Sequence, residues 1–313
     1  MAPFAYAVGI PGKETRMLRA CSALLTIALV APLALADDTY RAGILKWREQ
    51  RQARLTADDG WLTVAGLFWL EEGDNALGSD PASALALPAG AAPSRTGTIA
   101  LKGREVTLRL EPGVAGQIAG RSVSGPVALR PDSSGEPDVL VLGRLSLFVI
   151  ERGGRFAVRL RDRESRARRE FTGLSWFDVS EPYRVAARYV AYPKPKPVTV
   201  PNVLGRMETM PSPGYAEFTH QGQKVRLDGV LEAPDAKQLF FIFSDATSGK
   251  ETYRSGRFLY AELPKGDTVT LDFNKAYNPP CAFTAFATCP LPPKQNVLPV
   301  RIEAGEKTYG KGH

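Results

Sequence analysis

From Leu77 onward the apolar residues arrive in short runs that alternate with polar ones, as in Val106-Thr107-Leu108-Arg109-Leu110 and Leu145-Ser146-Leu147-Phe148-Val149. A period of two puts neighbouring side chains on opposite faces of an extended chain, so each run buries one face and hydrates the other. Turn-forming Gly, Pro, Asp and Ser separate the runs, and the chain holds 29 glycines and 25 prolines. This patterning favours many strands and turns over helical bundles. It predicts a mainly β protein: an N-terminal helix, a β-sandwich and a C-terminal β unit packed against it. The 313 residues suffice for one or two domains with a real core.

Residues 17–36, MLRACSALLTIALVAPLALA, depart from the pattern and read as an export signal. Arg19 supplies the positive end, 22–33 the apolar stretch, and Ala34-Leu35-Ala36 the small-x-small cleavage site. The apolar run is shorter than the roughly 20 residues a membrane-spanning helix needs. Cys21 precedes that run, which is the wrong place for lipid attachment. Residues 1–16 lack signal character, and translation from Met17 would leave them out. An uncleaved membrane anchor is the alternative. Cleavage predicts a periplasmic or secreted chain beginning at Asp37, with no transmembrane span. Losing Lys13, Arg16, Arg19 and Glu14 lowers the formal net charge from +7 to +5. In an exported protein this mild charge points to solubility or anionic envelope components, with no nucleic-acid partner.

Residues 38–55 predict a helix with Tyr40, Ile44 and Trp47 on one face and Lys46, Arg48, Glu49 and Arg51 elsewhere, capped by Asp38 or Thr39. Residues 60–70, GWLTVAGLFWL, read as a buried strand bent at Gly66. The organisation expected is 37–76 for helix and first strand, 77–190 for the sandwich, 191–201 for a Pro-rich linker in polyproline II, and 202–313 for the C-terminal unit. Within that unit 215–219 and 224–231 form a hairpin about Gly222, and 238–244, 257–263 and 268–273 are further strands.

The chemistry concentrates near the C-terminus. Cys281 and Cys289 are the two cysteines left after signal removal, and an isolated pair in an oxidising compartment is expected to bond. So short a loop gains about 2–3 kcal/mol from closure. The histidines are His220 and His313, which gives a Cys/His zinc site little support. Asp272, Asn274, Tyr277 and Asn278 precede Pro279-Pro280-Cys281. Asp272 and Asn274 leave a strand on one face, and the prolines stiffen the next loop, as a preorganised site requires. Asp and Asn at strand ends also bind their own backbone, a purely local role. A second polar cluster, 244–253, brings Asp245, Thr252 and Tyr253 near Arg257, either as a hairpin loop or beside the Asp272 face. Glu303 and Glu306 add carboxylates. Arg159 and Arg161 share the strand face opposite Phe156, Val158 and Leu160, forming either a solvated basic face or an anion clamp. Serine-hydrolase, zinc-protease, phosphate-loop and dinucleotide signatures are absent, so no cofactor is implied.

Two resemblances add to this. Residues 77–149 resemble a degenerate forkhead-associated domain through Leu77-Gly78-Ser79-Asp80-Pro81, Gly120-Arg121-Ser122-Val123 and Leu142-Gly143-Arg144-Leu145. That family's fold is a β-sandwich. Its phosphothreonine-binding Arg, its His and an Asn are replaced by Ser79, Gly97 and Ala119, so the resemblance implies the fold without the phosphopeptide site. The stretches DGWLTVAGLFWL, FSDATSGKETYRSGRFLY, LDFNKAYNPPCAF and ATCPLPPKQNVLPVRIEAGEKTY resemble the bacterial domain-of-unknown-function family 1684 over nearly all of 39–309. This resemblance implies no activity. The reading that results is an envelope protein binding a small polar or anionic ligand through Asp272, Asn274, Tyr277, Asn278, Thr252, Arg257, Arg159 and Arg161. The alternatives are a hydrolase using Asp245, Asp272 or Glu306 as acid/base groups and a structural partner-binding module. A pocket holding two carboxylates of raised pKa would favour the enzyme; an open groove of arginines and aromatics would favour binding.

Overall fold

The computed structural model describes residues 31–310, with side chains from Asp38 onward. The signal read over 17–36 lies outside the described residues, apart from the helical backbone of its last six. Two units divide at Gly43: Met1–Gly43, and Ile44–His313, which carries the strands found among the described residues. Helix α1 (Ala31–Thr56) crosses that boundary and begins ahead of the expected cap, in an Ala- and Leu-rich segment that favours helix. Among the described residues no helix is long and apolar enough to cross a membrane.

After a single 3₁₀ turn at Trp61–Thr63 come β1 (Val64–Trp69), β2 (Gly73–Gly78), β3 (Leu85–Ala86), β4 (Gly97–Lys102), β5 (Glu105–Leu110), β6 (Gln117–Ile118), β7 (Arg121–Ser122), β8 (Val127–Ala128), β9 (Leu140–Leu142), β10 (Leu145–Arg152) and β11 (Arg155–Asp162). They form a six-stranded sheet, β1-β11-β10-β9-β6-β7, and a five-stranded sheet, β3-β2-β4-β5-β8. Leu77, Ile99 and Leu108 from one sheet and Leu147, Val158 and Leu160 from the other share a single apolar cluster, the packing of a sandwich. The expected bend near Gly66 is a register shift between Val64 and Gly66 in the β1–β11 ladder. Gly153 and Gly154, at φ 57° and 73°, join β10 to β11. Two consecutive positive φ angles make the turn whose twist matches a two-residue hairpin.

The C-terminal half contains β12 (Arg184–Pro201), β13 (Met207–His220), β14 (Gln223–Gly229), β15 (Gln238–Phe243), β16 (Arg257–Glu262) and β17 (Thr268–Asp272). Four of these make the sheet β14-β13-β12-β17, and β15 pairs with β16. Phe218, Leu227, Phe241, Leu259 and Leu271 pack together with Leu298, Val300 and Ile302 from the irregular C-terminal stretch.

The Pro-rich stretch 191–201, expected as a linker, is the distal half of β12; Ala191 and 196–201 pair with β13, with a register shift across 192–195. Its prolines are tolerated for a geometric reason. Pro197 lies opposite Pro211, and neither can donate, so both ring nitrogens point away from the shared ladder. β17 pairs with β12 only over Arg184–Arg188, leaving that outer edge without a β17 partner where the prolines recur.

Candidate functional site

The C-terminal half of α1 supplies one wall. Ile44, Trp47, Arg48, Arg51 and Leu55 recur at spacings of three and four, which places them on one helix face; Ile44, Arg51 and Leu55 are buried. Arg51 therefore lies on the inward face, which the Tyr40-Ile44-Trp47 pattern left out. Its Nη2 donates to Asn278 O at 2.9 Å, its Nε donates to Glu306 Oε2 at 3.4 Å, and its guanidinium lies 4.6 Å over the Tyr277 ring. Glu306 is fully buried, and its Oε1 has no hydrogen-bond partner among the described residues. Burial drives its carboxyl up to about 7, against the pull of Arg51.

Arg51, Trp61, Arg152, Arg159, Tyr260 and Tyr277 line a cavity of about 400 Å³, completed by Glu208, Met210, Glu232, Phe240, Phe258 and Cys289. Its aromatic part is layered. Phe240 stacks on Tyr260 with ring centroids 4.8 Å apart, Tyr260 on Tyr277 at 6.4 Å, and Phe258 meets Phe240 and Tyr277 edge-on. Phe258 and Tyr260 reach one wall because they are two residues apart on β16. Tyr260 donates its hydroxyl to Glu232 Oε2 at 2.6 Å. Burial raises the phenol pKa of Tyr260 and lifts that of Tyr277 to about 12.

Arg159 is the unusual member. It projects from the β11 face opposite Phe156, Val158 and Leu160, is only 5% exposed, and lies 5.0 Å from the centre of the Trp61 ring. Its Nε and Nη2 meet no hydrogen-bond partner among the described residues. Burial, reinforced by the like charge of Arg152, brings its pKa down to about 10. Arg152 itself is paired with Asp132 at 2.7 Å. Arg161 lines a different cavity, of about 470 Å³, with Asp58, Asp59, Arg144 and Phe148, so the two arginines do not share one pocket.

The other expected site residues lie away from this cavity. Asp245 and Arg257 form a buried ion pair at 2.7 Å. Asp245 Oδ1 accepts from Thr247 N and Oγ1, and Thr252 shares a hydroxyl bond with Thr247. Arg257 donates to the backbone oxygens of Ile302 and Ala304. Asn274 is bonded in both directions to the Ser180 backbone and donates to Asp272 Oδ1, while Asp272 sits 4.0 Å from Lys275. Asn278 donates to Lys307 O. These groups tie loops together, and of the expected polar set only Tyr277 and Arg159 reach the cavity. Cys281 and Cys289 are free thiols in contact, with Cys281 N donating to Cys289 Sγ at 3.1 Å. Their mutual hydrogen bond lowers the pKa of Cys281 and, helped by burial, raises that of Cys289. Among the described residues no three His, Cys, Asp or Glu side chains converge as metal ligands do.

Fold and site together define a mainly β protein with an arginine- and aromatic-lined cavity walled by one helix. Residues 169–307 match the model of the family described as Protein of unknown function (DUF1684). An uncharacterised protein of Haloarcula marismortui, solved by solution NMR, is 35% identical to this chain over 45% of it and 79% of that protein, with a TM-score of 0.39. No protein of curated function matches the sequence.

Proposed function

We propose that this is an exported binding protein of the cell envelope that holds a small anionic ligand in the cavity of Arg51, Arg152, Arg159, Tyr260 and Tyr277. The observation that carries the reading is Arg159, a buried guanidinium whose Nε and Nη2 have no hydrogen-bond partner among the described residues. An unpaired buried charge costs several kcal/mol, and a fold that keeps one gains the cost back when an anion arrives. Binding is favoured over hydrolysis because Asp245, Asp272 and Glu306 are absent from the cavity wall. The export reading of 17–36 supports an oxidising compartment, in which Cys281 and Cys289 close to a disulfide. The family relation is taken to extend from the matched segment towards 39. The sandwich of 77–149 is taken as forkhead-associated-like in fold and inactive towards phosphothreonine, since Ser79 and Gly97 lack the needed groups.

The test is Arg159→Met, which keeps the stem and removes the charge. Acetate, benzoate and phosphate are added to both proteins at constant ionic strength and Tm is followed. At least one anion raises the wild-type Tm while leaving the variant's unchanged, and the variant without anion melts at or above wild type. Equal shifts in both proteins, or no shift in either, would overturn the reading.

A further inference from the structure

Building on that reading, we propose that the ligand is a small monocarboxylate carried on a flat apolar ring, an aryl carboxylate in chemical class. Charge fixes the first part. Of the three guanidiniums on the wall, Arg51 faces Glu306 and Arg152 faces Asp132, whereas Arg159 is left with the face of Trp61. Arg159 is thus the one guanidinium of this wall without an ion-pair partner among the described residues, so one negative charge is wanted beside it. Glu208 and Glu232 stand on the same wall and repel a second. Geometry fixes the head group. Nε and Nη2, the two nitrogens without partners, form one edge of a guanidinium. That edge is a parallel pair of donors matching the two oxygens of a carboxylate. Both are covered by protein atoms, so the Arg159 side chain turns to present this edge when the carboxylate enters, and the bonds then form away from water, where they are strongest.

The rest of the wall selects the body of the ligand. Phe240, Tyr260 and Tyr277 are stacked within 18° of parallel, Phe258 stands across them, and Trp61 and Met210 complete the apolar surface. Rings prefer offset-stacked and edge-to-face neighbours, and this wall offers both. A volume of about 400 Å³ lies at the small end of the ligand-pocket range, which suits one or two fused rings. Inorganic phosphate uses none of this surface and carries too much charge.

The experiment is calorimetric titration of the full mature protein with four probes: 2-naphthoate, acetate, 2-naphthylmethanol and naphthalene-2,6-dicarboxylate. The expected result is that 2-naphthoate binds at least about tenfold more tightly than each of the others. Tyr260→Leu, at a partly buried position, should weaken 2-naphthoate several-fold more than it weakens acetate. Arg159→Met should reduce 2-naphthoate to the level of the neutral alcohol. If acetate binds as well as 2-naphthoate and depends on Arg159, the ring requirement falls and the anion site stands. A dicarboxylate that binds tightest overturns the single-charge argument. Should 2-naphthoate bind wild type and Arg159→Met alike, or not bind at all, this inference falls. In that case the Tm comparison with acetate and phosphate decides whether the anion site falls too.

Discussion

Glu306 carries its own pH signature. It is fully buried beside Arg51, and its folded pKa of about 7 stands above the ordinary 4.5 because burial penalises the charged form. The folded protein therefore holds this proton more tightly than the unfolded chain does. The contribution to stability is complete below pH 4.5 and drains away as pH rises through 7, a loss of about 3 kcal/mol in all. Glu306→Gln removes the titration. In urea denaturation at pH 5 and pH 8, wild type should lose about 2–3 kcal/mol relative to the variant over that interval. Parallel profiles would show that the carboxyl titrates normally. The same residue reads differently in sequence and in structure. As a Glu near the C-terminus it resembles an acid/base candidate, whereas in the fold it holds Arg51 over Tyr277.

At the scale of elements, the Asp245–Arg257 pair ties the turn after β15 to β16 and to the backbone of Ile302 and Ala304. Arg257→Met strands a buried Asp245 and should cost about 3–5 kcal/mol in urea denaturation. The fraction that remains folded should bind 2-naphthoate as wild type does. Lost affinity at unchanged stability would move Arg257 into the site. The loop between Cys281 and Cys289 offers a second expectation. Oxidation should link them, raising stability by about 2–3 kcal/mol, and non-reducing mass spectrometry of periplasmic material should find the joined peptides. Free thiols in that material contradict it. Strands here were legible because their signal is local: the runs around Gly222 and at 238–244, 257–263 and 268–273 fall on β13 to β17. Arg51 could have been found, since it lies four residues after Trp47 and seven after Ile44. The cavity could not. It is assembled from residues as far apart as Arg51 and Pro290, and nothing local distinguishes Glu208, Glu232 or Arg152 from ordinary surface charge. Asp272 and Asn274 read as a site because strand-end Asp and Asn look alike whether they bind a ligand or, as with Asn274, a neighbouring backbone.

For the whole molecule, the proposed export would set where the cavity meets its proposed ligand. Cleavage after Ala36 would shorten α1 and leave the Ile44–Leu55 face complete, so the mature protein should keep the cavity wall. Mass spectrometry of the envelope fraction should place the N-terminus at Asp37; a chain retaining residues 17–36 contradicts cleavage. A long life outside the cytoplasm, as proposed, would also make demands that binding does not. β12 presents an outer edge beyond Arg188 that β17 leaves uncovered, and an open strand edge is a template on which another chain can pair. Pro197, whose ring nitrogen is turned from the β13 ladder, removes a donor that such a template would need, and Pro193 and Pro195 sit where β12 shifts out of register with β13. The stretch that reads as a spacer would thus guard this strand edge against edge-to-edge aggregation, which matters most if the protein works, as proposed, outside the cytoplasm.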